Sequence, residues 1–154
     1  MTLEKDIEVV PKNTRLEYLT FNVNEVAFAI NSLYIDSIAS IEGVTPIPGT
    51  NNMTDGVIHF RGTTIPVINL GRYLFNKDSD GGEQKYCVVC KLDDKCYAFR
   101  IDSVRSIVTA NSLDIIEVDK LLKSSCTMLD GFLADENRNI TEILNIKNII
   151  RQCE

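Results

Sequence analysis

The chain has 154 residues, with 16 Lys and Arg against 22 Asp and Glu, a formal charge of −6, 44% hydrophobic residues and 25% charged residues. That length and balance describe one ordinary globular domain, or two very small units sharing a core, and exclude a disordered chain. The negative balance, without Lys and Arg clustered among aromatics, argues against nucleic acid and against an anionic membrane surface as partners.

The opening segment from Met1 to Glu8 alternates charge with single apolar residues and lacks the continuous apolar stretch of a secretory signal. Residues 1–15 are expected to form an N-terminal arm. No apolar run approaches the ~18 residues needed to cross a bilayer, so a cytoplasmic location without direct membrane insertion is expected. Tyr18 to Val23 and Val26 to Ile30 alternate large apolar residues about Asn24-Glu25, the pattern of a β-hairpin.

Residues 56–70 place two strand-like runs on either side of Arg61-Gly62-Thr63, which sets a solvated arginine at a hairpin tip. Pro66, inside the second run, has no amide hydrogen to donate and predicts an edge position or a bulge. Asn69, followed by apolar Leu70, Tyr73 and Leu74, predicts a strand running into a short helix capped by the asparagine side chain. Asn76 to Gln84 is polar, rich in turn formers, and reads as a linker.

Beyond it, Tyr86 to Leu92 and Cys96 to Ile101 repeat the hairpin about Asp93-Asp94-Lys95. Residues 113–126 are irregular, with Asp119-Lys120-Leu121-Leu122 suited to a helical turn. Three matches tie the halves together: Phe28 to Leu33 with Phe99 to Val104, Gly56-Val57-Ile58 with Gly131-Phe132-Leu133, and Asn69 to Leu74 with Asn145 to Ile150. They predict one small β unit built twice, as two packed barrels each closed by a helical plug.

Five cysteines, an odd number without an export signal, weigh against a disulfide framework. Cys87 and Cys90 lie three apart in a strand pattern and so face opposite sides, which predicts buried thiols rather than a zinc site. His59 has no nearby second ligand and is expected as a strand residue. With no phosphate-cradling loop, metal cluster or Ser-His-Asp order, no catalytic residue, metal or cofactor is expected.

Val44-Thr45-Pro46-Ile47-Pro48, the hairpin from Gly56 to Gly62, Ile65 to Leu70, Ile101-Asp102-Ser103-Val104 and Leu144-Asn145-Ile146 occur in an order and spacing that resembles the CheW family of chemotaxis coupling proteins, from about Leu16 to Ile150. The resemblance implies a mainly β chain of two five-stranded SH3-like barrels, with short helices after them, in a single domain over 1–154. The approximate subdomains are 16–75 and 85–150. It also implies a non-enzymatic adaptor without cofactors. Its partners would be the regulatory domain of the histidine kinase CheA and the cytoplasmic hairpin tip of a chemoreceptor, in arrays at the membrane. The chain departs from the family at His59-Phe60-Arg61-Gly62, where Asn-Leu-Arg-Gly is usual, and at Asn69, where Asp is frequent. It departs again at Ser37, where many members carry a glutamate; Asp36 or Glu42 is a neighbouring substitute. Ser37 motivates an alternative, a CheW-like module of a specialised signalling system with other receptors. A small-barrel nucleic-acid binder is the remaining one.

For the receptor groove, the expected residues are Ile35, Ile38, Val104 and Ile107, which the duplication sets in equivalent positions, together with Arg61, whose planar fork suits carboxylates or carbonyls. Ile41, Val44 and Pro46 form an apolar stretch before the hairpin and are the expected kinase face.

Overall fold

A computed structural model describes residues 14–49, 52–76, 86–117, 128–134, 137 and 139–153. Most of the expected arm, the linker after Asn76, the helical turn at Asp119 to Leu122 and Cys126 lie outside the described residues.

The strands follow the apolar alternation: β1 (Arg15–Val23), β2 (Val26–Asn31), β3 (Ile35–Ser40), β4 (Thr54–Phe60), β5 (Thr63–Asn69), then helix α1 (Leu70–Phe75). The second half runs β6 (Tyr86–Leu92), β7 (Lys95–Ile101), β8 (Ser103–Asn111), β9 (Ile115–Glu117), β10 (Leu129–Ala134), β11 (Ile140–Leu144) and α2 (Ile146–Cys153). The β1–β2, β4–β5 and β6–β7 hairpins turn on residue pairs with positive φ: Asn24 and Glu25, Arg61 and Gly62, Asp93 and Asp94. Such turns match the right-handed strand twist.

The chain is mainly β and folds into two sheets, ordered β8-β1-β2-β11-β10-β9 and β3-β6-β7-β5-β4. Strand for strand these are one design: a hairpin, an antiparallel strand on its first edge, and a second hairpin joined in parallel to its other edge, through β2 with β11 and β7 with β5. The larger sheet adds β9 beyond β10, where the smaller has only an isolated bridge between Thr45 and Val57.

The sheets do not divide at residues 75–85, as subdomains of 16–75 and 85–150 require. The β1–β2 hairpin of the first half completes a sheet made otherwise by the second half, and the β6–β7 hairpin does the converse. Parallel pairing demands a long crossover, and the exchange of hairpins supplies one in each direction.

Alternation then sorts the side chains. Leu19, Phe21 and Ile30 from one sheet meet Val88, Cys90, Phe99 and Ile101 from the other in a shared core, closed by Ile146, Ile149 and Ile150 of α2. The opposite face of each sheet has its own smaller core, around Ile58, Ile65, Val67 and Val89 in one barrel and around Tyr18, Ala29, Leu133 and Ile143 in the other. Each side chain of this size, fully buried, contributes roughly 1.5–3 kcal/mol, so the shared core is the main source of cohesion between the barrels.

Of the edge position or bulge expected at Pro66, the bulge has a counterpart beside it, a register shift between Thr54 and Gly56 opposite Ile68 and Val67, whereas the edge position does not hold. Pro66 stands opposite Val57 in β5, which has β4 on one side and β7 on the other, so it is not on an edge strand. The parallel ladder with β7 begins only at Val67, and the missing amide hydrogen therefore breaks no bond on that side.

Candidate docking surfaces

Each barrel is braced by the same polar latch at the start of its second hairpin. Asn69 accepts a 3.0 Å hydrogen bond from the Arg72 amide, which caps α1, and its own amide donates to the Met53 carbonyl at 2.9 Å. Asn145 repeats both, at 3.0 Å from the Asn148 amide and 2.7 Å to the Met128 carbonyl. The side-chain amides then donate to aspartates: Asn69 Nδ2 to Asp55 at 3.1 Å and Asn145 Nδ2 to Asp130 at 2.8 Å. The helix cap foreseen at each asparagine is present; its tie to an aspartate 14 or 15 residues upstream is additional.

The latches differ in charge. Asp55 also binds Arg72 at 3.0 Å and Arg100 at 2.7 Å, a half-buried cluster that ties β4 and α1 to β7 across the two halves of the chain. Asp130, exposed on β10, has no such arginine among the described residues; partial desolvation nudges its carboxyl upward, against the pull of Asn145 and Lys147. Both aspartates precede glycines that the packing demands. A Cβ on Gly56, whose φ is +148°, would lie 2.2 Å from the Thr45 carbonyl oxygen, and one on Gly131 would lie 2.6 Å from that of Ile116.

The edge strands β3 and β8 occupy equivalent places. Ile35 and Ile38 lie opposite Cys90 and Val88, while Val104 and Ile107 lie opposite Phe21 and Leu19. All four therefore stand on the shared-core side of their strands, and a register shift separates the two members of each pair. Ile35 packs partly into that core, whereas Ile38, Val104 and Ile107 remain 44%, 40% and 68% exposed. The pairwise equivalence read from the sequence holds, although the hairpin match shifts by two residues: with the turns aligned, Phe28 corresponds to Tyr97 rather than Phe99.

Arg61 is not a free turn charge. Its Nη1 donates to Asp36 Oδ2 at 3.0 Å, and its guanidinium lies 4.8 Å from the Phe60 ring centroid. Since Asp36 is on β3 and Arg61 follows β4, the pair joins the two ends of the five-stranded order and closes that barrel. It borders a cavity of about 460 Å³ whose lining includes Phe60, Thr64, Pro66, Lys91, Lys95 and Tyr97, but none of Ile35, Ile38, Val104 and Ile107. Arg61 thus lines this cavity together with Asp36, the neighbour of Ile35 in β3.

Ile41 and Val44 are half-buried against the core of the same barrel, and Pro46 is exposed beside the Thr45 bridge to β4. Ser37 lies opposite Val89, a residue of the barrel interior, with its hydroxyl buried and unpartnered; its counterpart Ser106 reaches Thr20 Oγ1 at 3.1 Å. Of the two neighbouring acids, Asp36 is the one that meets Arg61, and Glu42 is exposed.

Cys87 belongs to the small core and Cys90 to the shared one, on opposite faces of β6 as their spacing requires. Burial pushes both thiols up, and Cys153 up to about 11. His59 is an exposed residue of β4. Among the described residues no helix is long and apolar enough to cross a membrane.

Comparison with known proteins agrees with this architecture. The family model described as CheW-like domain matches residues 17–154. The chemotaxis protein CheW of Thermotoga maritima is 32% identical over 139 residues, which covers 88% of each chain. That of Helicobacter pylori is 25% identical, over 89% of this chain and 82% of its own. The crystal structure of the scaffolding protein TtCheW from Thermoanaerobacter tengcongensis superposes with a TM-score of 0.76 at 15% identity, covering 86% of this chain and 90% of that one, and shares the fold.

Proposed function

The chain belongs to the CheW-like family of chemotaxis scaffolds, and from that premise we propose that it is a non-enzymatic adaptor coupling chemoreceptors to the histidine kinase CheA and regulating kinase output. A coupling protein has to hold two partners at once, which requires separate faces on one rigid body. The observation that carries the reading is the pair of equivalent edge strands, β3 and β8, each presenting exposed apolar side chains on the shared-core side.

In this reading Ile35, Ile38, Val104 and Ile107 receive the helical hairpin tip of a receptor, an ordinary helix-in-groove mode of recognition. Ile41, Val44 and Pro46 face the regulatory domain of CheA, and Arg61 contributes from the neighbouring cavity. The protein works in the cytoplasm, on arrays at the membrane. Co-sedimentation of the purified protein with CheA and receptor-bearing membranes tests it: the adaptor reading requires both partners in one pellet, and failure of the folded protein to bind either removes it.

A further inference from the structure

We propose that the cavity beside Arg61 receives an acidic segment of a partner protein, a carboxylate flanked by apolar side chains, and that Asp36 is the internal carboxylate this segment displaces. The proposal deepens the adaptor reading, on which its biological meaning rests, but its test needs neither CheA nor a receptor.

The cavity joins two kinds of surface. Phe60, Ile65, Pro66 and Tyr97 supply apolar wall, while Arg61, Lys91 and Lys95 supply cations. Against these three stand two carboxylates, Asp36 and Asp94, so the site is net positive in a chain of charge −6. Among the described residues neither lysine has an ion-pair partner. A local positive field in a negative chain draws in an anionic ligand and sets its orientation.

The internal pair shows that Arg61 takes a carboxylate in this geometry, at 3.0 Å from one guanidinium nitrogen. The arginine side chain is 66% exposed in that pair. Exposed ion pairs are weak, worth no more than about fivefold in an equilibrium, so displacing Asp36 is a small penalty. The Phe60 ring under the guanidinium holds the arginine in place when its carboxylate partner changes. The closure of the barrel does not depend on the pair alone, because Thr45 and Val57 exchange two 2.9 Å backbone hydrogen bonds on the open edge of β4.

The test is fluorescence polarisation with a labelled peptide carrying one glutamate between two leucines, beside the same peptide with glutamine. The glutamate peptide binds the native protein and the glutamine peptide binds at least tenfold more weakly. Asp36→Asn removes the internal competitor and tightens the glutamate peptide about two- to fivefold. Arg61→Gln weakens it about tenfold, with the far-ultraviolet dichroism of each variant checked against the native protein. Equal binding of the two peptides, affinity unchanged by Asp36→Asn, or no binding to any form of the protein overturns the proposal. None of these results bears on co-sedimentation with CheA and receptors, so the two readings fail separately.

Discussion

Arg61, at the tip of the β4–β5 hairpin, reaches back 25 residues to Asp36 on β3, and this 3.0 Å contact links the first and last strands of the five-stranded sheet. The arginine that stands at the tip therefore has a structural partner as well as a surface position.

Replacing it separates the two roles. Arg61→Glu deletes an exposed pair worth ~0–1 kcal/mol and sets two carboxylates against each other at a similar cost, so the unfolding free energy falls by no more than ~2 kcal/mol. Partner binding falls by ~1–3 kcal/mol, the range for a charged interface residue. Calorimetric unfolding together with titration of the purified partner checks both figures; equal partner binding by the variant assigns Arg61 to barrel closure alone.

Gly56→Ala is expected to be among the most destabilising single-methyl changes in this protein. The added Cβ meets a backbone oxygen at 2.2 Å and forces a side chain into positive φ, an effect of ~2–4 kcal/mol. Gly131→Ala meets the Ile116 carbonyl oxygen at 2.6 Å without the φ penalty and destabilises less. Urea denaturation midpoints of the two variants give the order.

Much of this was legible in the sequence, and the parts that were not share a cause. The hairpins, the asparagine-capped helices and the equivalence of Ile35 and Ile38 with Val104 and Ile107 are written in local apolar periodicity and short capping bonds. The exchange of hairpins between barrels is not, because β2 chooses β11 rather than β5 by long-range packing that leaves no local mark. Arg61 and Asp36 are far apart in the chain, and exposed charges carry no pairing signal. The repeat does extend further than the residues first matched: Met53-Thr54-Asp55-Gly56 and Met128-Leu129-Asp130-Gly131 stand at the same point of each half and mark both aspartate latches.

That exchange makes the halves interdependent. Separate fragments 1–76 and 86–154 each lack a hairpin from both of their incomplete sheets and remain unfolded alone. Mixed, they recover the β-sheet circular dichroism of the intact chain. Cooperative folding of either fragment by itself contradicts the topology.

The cysteines give a pH dependence of known sign. Burial holds the Cys153 thiol at about 11 against an ordinary value of 9.0, so the folded state keeps a proton that the unfolded state releases. The stability this thiol contributes is complete below about pH 9 and is lost as pH rises to about 11. Cys87 and Cys90 act in the same direction. In a Cys126→Ser background, alkylation at pH 8 modifies half-buried Cys96 first and reaches the three buried thiols only on unfolding; rapid labelling of Cys90 in the native protein contradicts the shared core.

The most direct measurement is CheA autophosphorylation in a reconstituted mixture of CheA, receptor-bearing membranes and this protein. An adaptor raises the rate of phosphate incorporation when all three components are present, and Ile107→Glu, on the exposed edge of β8, removes the rise while leaving the protein folded. A rate that the folded protein leaves unchanged contradicts the account.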